Sequence, residues 1–202
     1  CYPEEIYPEL IETIRDEKKI CHYLDLPIQH ASDRILKRMG RRTSKQQLID
    51  IVSTLRKEIP DIVLRTTLIT GFPGETQGDH EELMEFVDQM EFDRLGVFTY
   101  SPEEDTPAAT MKDQIPEEVK SERLSRLLAL QNELTRKHNE SLIGKTLFVL
   151  AEREADKHPG ELIGRSECGR TVHFKASPDK IGRITPVTVT RVTGNTLAAD
   201  AE

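Results

Sequence analysis

The chain has 202 residues, 36% hydrophobic and 32% charged, with no tryptophan and a formal net charge of −8. That length allows one large domain or two small ones. No apolar run approaches the roughly 20 residues of a membrane span and no signal peptide opens the chain, so a soluble cytoplasmic protein with no membrane partner is expected. Charge is uneven: residues 1–144 hold 19 basic and 28 acidic side chains, a net of −9, whereas 145–202 hold 9 and 8, a net of +1. The first part would repel a polyanion and suits a basic partner. The second is not a strongly basic nucleic-acid module. Cys1, Cys21 and Cys168 lie far apart with no C-x-x-C pair, which reads as buried or incidental thiols with no metal site. Disulfides are not expected in a reducing cytosol.

The spacing of Ile6, Leu10, Ile11 and Ile14 predicts a helix over 3–17. "HYLDLPI" (22–28) alternates and meets Pro27, as a short strand ending in a loop does. Ser32 is a candidate N-cap for a helix over 32–39, and Ser44 with Gln47 forms a capping-box signature for the next helix, which Pro60 ends. "IVLRTTLIT" (62–70) is dense in β-branched residues and reads as a buried strand of a parallel sheet covered on both faces. A helix over 78–90 and a strand over 94–100 follow. The order helix, strand, helix, helix, strand, helix, strand implies right-handed βαβ units. A proline-rich break leads to a long helix whose stripe is Val119, Leu124, Leu127, Leu128, Leu130 and Leu134, with Gly144 as its C-cap. Five short strands with glycine turns then predict a small β-barrel, which puts a domain boundary at 143–145.

In a parallel α/β sheet, ligands bind beyond the C-terminal strand edge. "GFPGE" (71–75) sits at such an edge: its glycines allow close backbone approach, and Phe72 offers a face for a flat base. It lacks the spacing of a phosphate loop. A purely structural turn, closed by Thr76 capping the next helix with Asp79, explains the same residues. "LPIQHAS" (26–32) is a second edge, where Gln29, His30 and Ser32 could meet a ribose; the plain reading of His30 is a loop histidine with an ordinary hydrogen bond. Arg65, in mid-strand, needs an anionic partner: a ligand carboxylate or a buried Asp or Glu.

"YLDLPIQHASDRILKRMGR", "RTTLITGFPGET" and "FDRLGVFTYSPEEDTPAA" together resemble the radical S-adenosylmethionine methylthiotransferases, and the trailing module resembles their TRAM domain. The resemblance covers essentially the whole chain. It implies an α/β fold: the C-terminal half of a partial (β/α) radical-SAM barrel over 1–144, then an all-β TRAM-like barrel over 145–202. The strand motifs are most similar to the branch that modifies an aspartate of a small-subunit ribosomal protein. "LIGRSECGRTVHFKA" is closer to the tRNA branch, which methylthiolates isopentenyl-adenosine, so tRNA stands as the alternative partner, and an RNA-binding module with no activity of its own as a further reading.

The family uses a C-x-x-x-C-x-x-C-bound 4Fe–4S cluster to cleave S-adenosylmethionine, a second cluster as sulfur donor and a second S-adenosylmethionine as methyl donor. The resemblance therefore implies S-adenosylmethionine and two 4Fe–4S clusters in the parent protein. Starting at Cys1 rather than Met, this chain is expected to be an excised segment that binds neither cluster and does not turn over. By the same resemblance Ile69 and Gly71 would line the adenine, and Phe72 would border it. Gln29 and Ser32 would meet the ribose, Arg65 would anchor a carboxylate, and Tyr100 would close the pocket. The family's acid falls at 74, where Gly74 stands with Glu75 after it. The barrel would present Arg165, Arg170, His173 and Lys175 to its macromolecular partner, a solvated strand face being the other reading.

Overall fold

The computed structural model describes residues 1–156 and 158–201. They form two compact units, residues 1–20 with 24–134 and residues 21–23 with 135–202. The first unit holds α1 (Pro8–Asp16), β1 (Tyr23–Asp25), α2 (Asp33–Arg38), α3 (Lys45–Glu58), β2 (Val63–Thr70), α4 (Gln77–Met90), β3 (Arg94–Thr99) and the start of α5 (Glu117–Glu140). The strands form one sheet in the order β1-β2-β3. β2 and β3 run parallel, with Arg65 opposite Arg94 and Thr70 opposite Thr99. Gln29, beyond β1, extends the parallel pairing as a bridge to Leu68.

Helix starts follow local chemistry. Ser44 and Thr76 each accept from the backbone N–H three residues on, and Gln47 and Asp79 reach back to close the capping boxes. Pro8 takes the first position of α1, so the expected helix over 3–17 is two pieces: a 3-10 turn at Pro3–Glu5, then α1. A proline without an N–H fits that first position but would break a helix interior.

β2 alternates. Leu64, Thr66, Leu68 and Thr70 are buried while Arg65, Thr67 and Ile69 are half-buried. Of these, Leu64 and Leu68 join Leu36, Leu48, Val52, Leu55, Leu83, Phe86, Val87, Phe92 and Leu127 in one core. Each such side chain contributes about 1.5–3 kcal/mol on burial. The reading of a sheet covered on both faces is thus corrected: among the described residues the core covers one face, and the other carries Asp25, Arg65, Thr67, Ile69, Gly96 and the 58% exposed Phe98.

α5 differs from its expected apolar stripe. Leu127 and Leu134 are buried, but Leu128 is 41% exposed, and Lys120, Arg123 and Gln131 share the buried side. The second unit holds β4 (Thr146–Glu154), β5 (Glu161–Ser166), β6 (Thr171–Lys175), β7 (Ile184–Thr193) and β8 (Thr196–Ala201). These close into a barrel in the order β4-β5-β6-β8-β7. Its core is Leu147, Val149, Leu162, Val172, Phe174, Val187, Val189 and Leu197, the inward set of each alternating strand.

Candidate functional site: the turn after β2

β2 delivers its chain directly into the Gly71–Glu75 turn. Gly71 and Gly74 have φ of +73° and +82°, the region that glycine enters without penalty. Glu75 closes the turn. Its carboxylate is fully buried and accepts from the N–H of Gly71 (2.6 Å) and Phe72 (3.3 Å), from the Thr70 hydroxyl (3.3 Å) and from Arg123 (2.9 Å). Burial pushes this carboxyl up, but His30, Arg123 and the Gly71 N–H outweigh it and hold the group below its ordinary value.

The turn's other backbone groups are also spoken for. The carbonyls of Phe72, Pro73, Gly74 and Glu75 accept from Glu75 N–H (2.9 Å), Arg38 (3.1 Å), Arg34 (2.7 Å) and Arg123 (3.1 Å) in turn. Gly74 N–H donates to Asp113 C=O at 2.8 Å. A phosphate cradle presents unpaired backbone N–H groups, and here those from Gly71 to Thr76 already donate within the chain. The turn supplies shape and a wall rather than an anion hole.

Asp79 is the second anchor. Its carboxylate accepts from Ser32 Oγ (2.7 Å), from Thr76 N–H (2.8 Å) and from Arg34. Burial raises this group, yet Arg34, Thr76 and Ser32 keep it well below the usual carboxylate range. Ser32 is 2% exposed, and its hydroxyl donates to Asp79.

At the neighbouring edge, Gln29 has φ of +69°, bonds Thr67 and Ile69 through its backbone, and buries Oε1 with no protein partner. His30 is fully buried. Its Nδ1 accepts from Ser32 N–H at 3.0 Å, which puts its proton on Nε2, 3.6 Å from Glu75. His80 lies beside the same carboxylate, its Nδ1 3.9 Å from Oε1. Burial, opposed by Glu75 and reinforced by Arg126 and Arg123, lowers its pKa to about 4.

Arg65 pairs with the half-exposed Asp25 on the uncovered sheet face. Ile69 lies on that face, and Phe72, 6% exposed, packs edge-on against Tyr100 with centroids 5.1 Å apart. Phe72 therefore meets Tyr100 rather than presenting a free face. Tyr100 also buries its hydroxyl without a protein partner, and its carbonyl accepts from Lys120 at 2.9 Å.

On the barrel, Arg165, His173 and Lys175 point outward, Arg165 lying 3.6 Å from Glu152. His173 and Lys175 line a depression of about 610 Å³ with Thr190, Arg191, Thr196 and Asp200. Arg170 does not join them: it is 7% exposed and donates to Asn139 at 2.7 Å. Arg170 precedes β6, and its partner Asn139 lies near the end of α5.

Arg34, Arg38, Lys120 and Arg123 were not foreseen as parts of the site, and no role was assigned to Glu75. Their sequence signal is weak but present: Lys120, Arg123, Leu127, Gln131 and Leu134 recur at helical spacing with polar members, and a buried polar stripe must serve polar groups.

Comparisons with known proteins follow the same division. The Radical SAM superfamily pattern matches residues 2–87, and the TRAM domain pattern matches 140–201. A protein of Lachnoclostridium phytofermentans named ribosomal protein uS12 methylthiotransferase RimO is 59% identical over 82% of this chain and 38% of its own length. One of the same name from Clostridium botulinum is 49% identical over 94% of this chain and 43% of its own. The chain thus spans about two fifths of these curated relatives. Among solved structures, Escherichia coli coproporphyrinogen III oxidase, described as a radical SAM enzyme, matches with a TM-score of 0.57 at 14% identity. That match covers 98% of this chain and 49% of the other, a likeness of fold alone. The chain thus carries a radical SAM segment followed by a TRAM domain, and over most of its length it is similar to proteins named ribosomal protein uS12 methylthiotransferase RimO.

Proposed function

We propose that the protein carrying this chain is a radical SAM methylthiotransferase that places a methylthio group on an aspartate of ribosomal protein uS12. Residues 1–144 form part of its catalytic barrel and 145–202 its partner-binding module. The observation that carries this reading is the 49–59% identity to proteins of that name across most of the chain. The net of −9 over residues 1–144 supports a basic protein as partner. A ribosomal substrate supports a cytoplasmic activity; among the described residues no helix is long and apolar enough to cross a membrane.

S-adenosylmethionine fits the residues present. Gln29 Oε1 and the Tyr100 hydroxyl are buried without protein partners beyond β1 and β3; Asp25 Oδ1, also without one, lies lower on the sheet, beside Arg65 near the start of β2. Buried polar atoms are ordinarily paired, so a ligand rich in hydroxyl, amino and carboxyl groups suits this edge. Bound beside a cluster, one S-adenosylmethionine would supply the radical that abstracts hydrogen, and a second would supply the methyl group. Gln29 then offers its amide to the ribose, Ile69 and Gly71 form the wall against the adenine, and Tyr100 closes the far side over Phe72. Arg65 directs a guanidinium already balanced by Asp25 at a carboxylate, and Ser32 acts at one remove by holding Asp79.

An iron–sulfur cluster does not fit this chain. Its cysteines are dispersed, and the described residues include no group of three or more His, Cys, Asp or Glu side chains suited to a metal. No step is assigned through one here, and the segment alone is expected to be inactive.

The test uses the complete gene product, reconstituted anaerobically with iron, sulfide and reductant. Purified uS12 should gain one methylthio group by mass spectrometry, dependent on S-adenosylmethionine. Modification of isopentenyl-adenosine in a tRNA anticodon stem-loop, with uS12 untouched, would replace this reading with the tRNA one.

A further inference from the structure

Glu75 and Arg123 form a buried ion pair 48 residues apart in sequence. A buried pair adds little net stability over well-packed apolar residues of the same volume. Arg123 also leaves its Nε buried without a protein partner, which stability alone does not favour. What the pair does is fix direction. One Glu75 oxygen takes the Gly71 and Phe72 N–H groups, and Arg123 holds both the other oxygen and the Glu75 carbonyl.

Lys120, one turn earlier on α5, completes the arrangement. It is 3% exposed, and its Cγ fills the space that a Cβ on Gly71 would need. Its ammonium donates to the Tyr100 carbonyl at 2.9 Å and to Glu117 at 2.7 Å. One face of α5 therefore ties the residue after β2 to the residue after β3.

We propose that Lys120 and Arg123 are positioning residues for the ligand at this edge. They fix the Gly71–Phe72 peptide and the Tyr100 carbonyl, the two walls between which an adenosine-bearing ligand rests. The inference rests on the reading above that S-adenosylmethionine binds here. It adds that affinity is set by a helix whose residues need not touch the ligand.

The test measures S-adenosylmethionine binding by titration calorimetry on the complete gene product, with melting temperature alongside. The double variant Glu75→Gln/Arg123→Met removes both charges, so it should melt close to wild type. Its affinity should nevertheless fall about tenfold or more, because the unlatched walls no longer hold their spacing. Arg123→Lys, which keeps a cation for Glu75, should recover most of the affinity. A folded double variant that binds as tightly as wild type would overturn this inference and leave the S-adenosylmethionine reading intact. Affinity lost only in step with melting temperature would reduce the Glu75–Arg123 pair to a structural role. Absence of binding by the wild type would overturn the ligand reading, and this inference with it.

Discussion

Gly71→Ala is the sharpest single perturbation of the turn, because a second glycine serves as its control. Gly40 and Gly71 share φ, at +74° and +73°, but an added Cβ at Gly40 meets nothing within 4 Å. Gly40→Ala should therefore cost only the left-handed conformation, about 1–2 kcal/mol. At Gly71 the same Cβ would overlap Lys120 Cγ and press on Cβ and Cδ at 3.2 Å. Lys120 cannot swing aside freely, since its ammonium is held by Tyr100 and Glu117. The overlap adds a further ~1–3 kcal/mol, so Gly71→Ala should cost about 2–5 kcal/mol in all. Urea unfolding followed by circular dichroism, with unchanged m-values, reads the difference. Lys120→Ala combined with Gly71→Ala should return part of the loss, with a coupling of about 1–3 kcal/mol in the double-mutant cycle. Equal losses at Gly40 and Gly71, or no coupling, would refute the claim that α5 packs directly on the turn.

Arg123→Ala leaves the Glu75 carboxylate buried without its cation and should destabilise by about 3–5 kcal/mol; a loss below ~1 kcal/mol in chemical denaturation would show that the pair is not what holds the turn. His80 is fully buried and its pKa is lowered to about 4 from 6.5, so from about pH 6.5 down to 4 the unfolded chain binds a proton that the folded one refuses. The fold should therefore lose roughly 2 kcal/mol between pH 7 and pH 5 through this group. His80→Leu should remove that slope, and an identical pH dependence in variant and wild type would discount it. Gly164→Ala places a Cβ against the Leu150 carbonyl and Val149 inside the barrel. It should cost about 1–3 kcal/mol by overpacking, checked by the same denaturation, with a neutral result excluding close β4–β5 contact at that residue.

The sheet was legible wherever one physical rule acted alone. The capping boxes at Ser44 and Thr76 appear where Gln47 and Asp79 stood three residues on. The five barrel strands appear between their glycine turns. The misreadings lie where two rules compete. β2 looks uniformly apolar because Thr67 and Ile69 are β-branched, a property that suits a strand whether or not its face is covered. Only the structure shows that their side is open while Leu64 and Leu68 are buried. Leu128 fits a leucine-rich helix, yet it is 41% exposed because Arg123 and Gln131 hold the buried side.

The site was legible in outline for a different reason. "GFPGE" signals its position because glycine and proline are local determinants of backbone shape. What makes the turn rigid is not local: Arg34 and Arg38 come from α2, and Lys120 and Arg123 from α5. A cation on a helix has the same appearance in sequence whether it is solvated or buried, and its partner is fixed only by the packing of that helix. Arg170 shows the converse, a cation that resembles a surface contact and is enclosed with Asn139. Glu75 unites both cases. One place past the family's acid it has no assigned part, and yet four donors converge on its carboxylate. A carboxylate with its hydrogen-bonding capacity filled in that way has none left for a ligand, which is the physical reason to place Glu75 behind the wall of the proposed ligand site rather than on it.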